Sequence, residues 1–172
     1  MPARKNRQVE GKMLSEYLLK TYPKYPQLIA QPLGVVSDSL MAQVGYKAAI
    51  GYSRPSRPEV DAVVILPRYL ILIEAKVWNI VNGLAKIPLY KSLVPSTPEL
   101  KPYLDKEIIM ELVVGWLDPN LETMARDMGV RVVVYNPPWL SEIVNGLHNY
   151  WTKEYREARD EKLKLREYFG VE

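Results

Sequence analysis

The stretch Arg57 to Trp78, RPEVDAVVILPRYLILIEAKVW, decides how the rest of this chain is read. Two apolar runs rich in β-branched residues meet at Pro67-Arg68, and Asp61, Glu74 and Lys76 interrupt them. Runs of this length bounded by turn residues read as strands, which predicts a hairpin from about Val60 to Val77. Folding about Pro67-Arg68 sets Leu66 against Tyr69, Ile65 against Leu70, Val63 against Leu72 and Asp61 against Glu74. Cross-strand partners project to one side of a sheet, and a residue two positions further on shares that side. Asp61, Glu74 and Lys76 therefore converge, while Ala75 points the other way. Pro67 is ill-suited to the primed two-residue turns, which need positive φ. A four-residue loop centred on the same point keeps the register, whereas an odd-length loop would flip it.

Asp61, a twelve-residue spacer and Glu74-Ala75-Lys76 resemble the signature of the PD-(D/E)xK nuclease superfamily, which includes restriction endonucleases, Holliday-junction resolvases and RecB-type nucleases. The signature proline is not beside the aspartate; Pro58 lies three residues before it. The resemblance implies an α/β fold with a restriction-endonuclease-like αβββαβ core, a mixed central sheet flanked by helices. It implies a magnesium-dependent deoxyribonuclease, with manganese as a substitute metal, and an endonuclease rather than an exonuclease. Asp61 and Glu74 would hold the metal, with the Ala75 carbonyl as a third ligand. Lys76 would orient or help deprotonate the attacking water and screen the phosphate charge. A salt-bridged trio at a sheet end is the structural alternative for the same side chains.

Composition narrows the chemistry. At 172 residues the chain is long enough for one domain with a sizeable core. Within it, residues 1–7 read as a basic arm, 8–135 as the core and 136–172 as a helical extension. A net charge of +3 permits a polyanionic partner such as DNA. With no cysteine and a single histidine, disulfides, thiolate sites and two-histidine zinc sites are excluded. Any metal must be held by oxygen, which points to magnesium, manganese or calcium. No apolar run is long enough to span a bilayer, and no signal-like segment follows the basic start, so a soluble cytoplasmic protein is expected.

Arg4, Lys5 and Arg7 make the arm either a solvated terminus or a phosphate contact. From about Gln8 to Tyr22, Val9, Met13, Leu14, Tyr17 and Leu18 form the apolar face of a helix. At about 100° per residue, Glu10 falls within about 25° of the centre of that face and Glu16 roughly 95° away. The nuclease family often takes an acidic metal-site residue from its first helix, so Glu10 is the candidate and Glu16 the alternate. Favourable placement at a helix N-terminus is the competing reason for Glu10. A first strand is expected at Gln43 to Ile50, and Lys47, Arg54 and Arg57 bring positive charge toward Asp61.

After the hairpin, a helix beginning near Ala85 would keep Pro88 in its first turn. RecB-like nucleases carry Gln-x-x-x-Tyr on this helix; Lys86 and Tyr90 hold comparable places, facing a phosphate or simply covering the core edge. Ile108 to Trp116 reads as a buried strand, Asp118-Pro119 to Gly129 as a capped helix and Val130 to Tyr135 as a second buried strand, hence a βαβ unit. A long C-terminal helix follows, with a break expected at Asn145-Gly146 and His148 as a surface residue. Its second half is mixed in charge, with Leu163, Leu165 and Phe169 offering an oligomer or partner contact.

Two other functions fit the same pattern. A nuclease-fold assembly protein, such as a tailed-phage head-completion or neck component located in the virion, would have lost cleavage or kept it as a secondary trait. A DNA-end-binding module would bind without metal. The residues leave DNA and RNA, and the structure or sequence cleaved, undistinguished.

Overall fold

The hairpin folds in the register that its sequence implies. In the computed structural model, which describes residues 2–147 and 153–169, with side chains for 6–146, 157–165 and 168–169, β2 (Glu59–Ile65) and β3 (Tyr69–Lys76) pair antiparallel. Ile65 pairs with Leu70, Val63 with Leu72 and Ala62 with Ile73. The Leu66 N–H donates to the Tyr69 carbonyl at 2.9 Å, closing a loop of only Pro67 and Arg68. Neither loop residue has positive φ, so this short turn is not of the primed kind.

Around the hairpin stand α1 (Pro2–Thr21), β1 (Gln27–Pro32), α2 (Asp38–Val44), α3 (Tyr46–Ser53), α4 (Ile80–Leu93), β4 (Glu107–Val114), α5 (Pro119–Asp127) and β5 (Val130–Val134). The sheet order is β1-β2-β3-β4-β5, antiparallel across the first two junctions and parallel across the last two. This is an α/β fold with a five-stranded mixed sheet flanked by helices. With α2 and α3 inserted between β1 and β2, the elements α1-β1-β2-β3-α4-β4 give the αβββαβ order of a restriction-endonuclease-like core. The parallel strands require crossovers, supplied by α4 and α5. Asp118 caps α5 by accepting from the Asn120 and Leu121 N–H groups, and Gly129 ends the connection at φ 67°. The chain divides into two compact units, residues 1–135 and 136–172. The second contains α6 (Pro138–Leu147) and α7 (Lys153–Tyr168).

Four boundaries differ from the sequence expectations. The first strand is Gln27–Pro32, not Gln43–Ile50, which falls across α2 and α3. Gly45 at φ 79° separates those helices, and helix-favouring Ala48 and Ala49 follow it, with Ala49 fully buried. β1 is an edge strand, where Pro32 is tolerated despite its missing N–H. Helix α1 starts at Pro2, so Arg7 is helical rather than part of a separate arm. Helix α4 starts at Ile80 rather than Ala85 and carries Pro88 inside it. Burial of Leu84, Ile87 and Tyr90 on the face that packs against the sheet outweighs the lost backbone bond. In the second unit, α6 runs through Asn145-Gly146, where a break was expected; residues 148–152, His148 among them, lie outside the described residues.

The sheet separates two layers. On one side Val63, Ile65, Leu70 and Leu72 pack with Tyr90, Val94 and Leu100, while Met110, Leu112 and Val114 pack with Leu84, Ile87 and Leu121. On the other side lies α1, whose Met13, Leu14, Tyr17 and Leu18 are buried. There the sheet carries a charge that the sequence reading missed. Glu111 of β4 is fully buried, ion-paired with Arg131 of β5, and accepts from the Tyr17 hydroxyl at 2.7 Å and the Tyr22 hydroxyl at 3.2 Å. Burial and the Glu111 carboxylate push both tyrosine hydroxyls above their ordinary pKa. A buried carboxylate stripped of its cation is strongly destabilising, and the two remaining hydroxyl donors reduce that loss. Arg131→Ala should therefore lower the unfolding free energy by about 2 kcal/mol in urea titrations.

Candidate active site

The end of β3 brings together side chains from both layers. Extending the hairpin ladder one step places Asp61 across from Glu74, and the Asp61 Oδ2 atom accepts the Ala75 N–H at 2.9 Å. Glu74 is only 2% exposed, on the side covered by α4. Lys76 shares that side, and its Nζ lies 2.9 Å from Glu74 Oε1 and 3.4 Å from Asp61 Oδ2. It also donates to the Ala75 carbonyl at 3.1 Å. From the opposite layer, Glu10 of α1 reaches over the end of the sheet. Its Oε1 accepts the N–H groups of Val77 at 3.0 Å and Trp78 at 3.3 Å, leaving Oε2 3.9 Å from Lys76 Nζ. Glu16, the alternate helix acid, pairs with Lys12 instead.

Two backbone features lie beside this cluster. A Cβ on Gly83 of α4 would stand 2.6 Å from Lys76 Cγ and 3.5 Å from Glu74 Cγ, so only glycine lets the helix approach so closely. Ala30 of β1 lies between the residues paired with Ala62 and Val60, hence opposite Asp61, and adopts a left-handed φ of 52°. For a residue with a side chain that geometry costs about 1 kcal/mol or more. Neither Gly83 nor Ala30 is marked by type or spacing in the sequence.

The cluster opens into a cleft of about 750 Å³. Arg7, Lys86 and Tyr90 line it, together with Glu59, Asn79 and Asn82, which the sequence reading did not single out. Arg54 reaches the cleft wall by donating to the Ala30 carbonyl at 3.0 Å. Arg57 does not join them. It is 8% exposed and forms a two-point ion pair with Glu99, one contact being 3.0 Å, so its charge is already satisfied and it is not presented to a phosphate. The side chains of Arg4 and Lys5 lie outside the described residues.

Electrostatics set the protonation states. Burial, then the nearby Asp61 charge, raises the Glu74 carboxyl to about 7, with Lys76 opposing the shift. Burial disfavours the Lys76 charge, but Asp61 and Glu74 outweigh it and hold the ammonium above the ordinary lysine value. The Tyr90 hydroxyl is pushed up to about 12 by burial and by Glu74 and Asp61. Glu74 Oε2 is buried and has no hydrogen-bond partner.

Carboxylate and carbonyl oxygens of this kind suit a hard divalent cation, and the unpartnered Glu74 Oε2 is an oxygen such a cation would satisfy. Among the described residues, no three carboxylates or histidines stand ready to hold one metal ion as placed. The ammonium of Lys76 lies between the acidic groups instead. The residues therefore fit a cation in chemistry, with the lysine at their centre.

No protein-family model and no curated protein sequence matches the chain. A repair endonuclease from Pyrococcus abyssi is similar in structure, with a TM-score of 0.43 and 12% sequence identity, over 74% of this chain. The chain spans 47% of that endonuclease's length. No helix among the described residues is long and apolar enough to cross a membrane.

The raised Glu74 pKa has a sign that can be tested. A carboxyl that holds its proton more tightly when folded adds stability in full below its unfolded pKa of 4.5 and loses it as pH rises through about 7. In chelator, the wild-type melting temperature should fall between these limits, relative to Glu74→Gln, by on the order of 5 °C, as measured by calorimetry.

Proposed function

We propose that this protein is a metal-dependent nuclease that hydrolyses DNA phosphodiester bonds, cutting internally. The observation that carries this reading is the convergence of Asp61, Glu74, the Ala75 carbonyl and Lys76 at the end of β3, inside a cleft that also admits Glu10. Phosphodiester hydrolysis needs a water made nucleophilic in line with the leaving oxygen, and positive charge where the transition state gathers negative charge. A magnesium or manganese ion on the Asp61 and Glu74 carboxylates, the Ala75 carbonyl and Glu10 would supply both the Lewis acidity and the lowered water pKa.

The chain's own residues supply the rest. Asp61 is fixed by the Ala75 N–H, and Glu10 by those of Val77 and Trp78, so both carboxylates are oriented before substrate arrives. Lys76 positions the attacking water and screens the phosphate charge. Lys86 and Arg7 on the cleft wall, with Arg54 beside Ala30, hold the flanking phosphates. Tyr90, protonated at neutral pH, is a hydroxyl donor for the same backbone.

Asp61→Ala and Lys76→Ala should each reduce magnesium-dependent cleavage by at least about a thousandfold while leaving the circular dichroism spectrum unchanged. Linear, branched and single-stranded DNA assayed with magnesium, manganese and calcium will show the substrate form. Cleavage that survives in both purified variants rejects the assignment.

A further inference from the structure

We propose that Lys76 is the resident counter-cation of its own metal site, and that a divalent ion enters by displacing the ammonium from the oxygens it now holds. The inference rests on the nuclease reading above and adds an exchange of cations to it.

The geometry is specific. The four groups assigned to the metal are Asp61, Glu74, the Ala75 carbonyl and Glu10, and Lys76 Nζ stands 3.4, 2.9, 3.1 and 3.9 Å from them respectively. An ammonium has three N–H donors. Two of them go to Asp61 Oδ2 and the Ala75 carbonyl, and the Glu74 carboxylate stands against the same head group as an ion pair at 2.9 Å. A divalent ion binds carboxylate and carbonyl oxygens at roughly 2.0–2.6 Å. The point those groups share is where Nζ lies, so an ion holding three of them takes the position of the ammonium. Two cations so close, in a site where Glu74 is 2% exposed, repel strongly because little water screens them.

The lysine stem is also restricted. Lys76 Cγ lies against Gly83, at a spot that would clash with a Cβ, so α4 leaves no room on that side. Relief comes by movement of the head group, whose side chain is already 16% exposed, toward the open cleft. The consequence is an order of events. Before metal binds, Lys76 is committed to the carboxylates and neutralises part of their charge. Once metal binds, the same ammonium is released to a phosphate. The lysine thus keeps the acidic groups together in the metal-free protein and becomes a substrate-binding group only in the loaded one.

Two measurements on the full-length protein test this, with calcium ion as the probe. Titration calorimetry should find calcium bound at least about tenfold more tightly by Lys76→Met, which keeps the stem and removes the charge. Reductive methylation of the wild type, read by peptide mass spectrometry, should label Lys76 several-fold faster with calcium than without. The second measurement separates displacement from simple repulsion, which would tighten calcium binding in the variant without moving the wild-type lysine. Unchanged or slower labelling in calcium overturns the proposal, as does equal calcium affinity in the two proteins. Calcium uptake by neither protein at millimolar concentration overturns both this proposal and the metal-site reading. Cleavage of DNA by the wild type, assayed separately, reports on the nuclease reading alone.

Discussion

The ammonium of Lys76 ties the two layers of this fold together at one point. It contacts Asp61 of β2, Glu74 and the Ala75 carbonyl of β3, and Glu10 of α1, which lies across the sheet from α4. Take away that charge and three acidic groups face one another at the end of the sheet, one of them nearly buried. Like charges so placed cannot all remain ionised without a cation or a proton between them. Burial, and then the Asp61 charge, raises the Glu74 pKa, and its Oε2 is buried without a partner. A cation between these groups relieves their repulsion, and the lysine is the one that the chain itself provides.

The surrounding structure is arranged to keep that point crowded. Gly83 admits α4 to van der Waals range of Lys76, Ala30 holds a left-handed backbone opposite Asp61, and backbone N–H groups of β3 and its continuation hold Asp61 and Glu10. The N–H bonds orient the carboxylates, whereas the helix-interior glycine and the left-handed alanine are local departures from what would maximise stability. Proteins tend to concentrate such departures where they act. By contrast, Glu111 on the other side of the sheet is equally buried but fully satisfied, with Arg131 and two tyrosine hydroxyls around it. The first cluster lies in a cleft and keeps a free oxygen; the second lies under α1 and keeps none. That difference sets the first apart as the candidate site and the second as a structural lock.

How much of this was legible in the sequence depended on the range of the interaction. The hairpin register was readable because its alternation has a period of two and its turn a fixed centre, and it placed Asp61 opposite Glu74. The βαβ unit was readable from the Asp118-Pro119 cap and from Gly129. The first strand was not, because an edge strand bracketed by Pro26 and Pro32 carries the punctuation of a loop. The start of α4 was misjudged because Pro88 is a strong local signal that tertiary burial of Leu84 and Ile87 overrides. At the site, Glu10 was legible as a carboxylate within an apolar helix face. The capture of Arg57 by Glu99, the close approach at Gly83 and the left-handed Ala30 depend on residues far apart in the chain or on backbone geometry, which residue type alone does not encode.

The most direct test of the site is to locate a metal. Crystals soaked in manganese should show an anomalous peak within coordinating distance of the Asp61 and Glu74 carboxylates, with Lys76 Nζ moved off both. Manganese bound elsewhere, or absent from that cluster at millimolar concentration while Lys76 keeps its place between the carboxylates, would contradict the account.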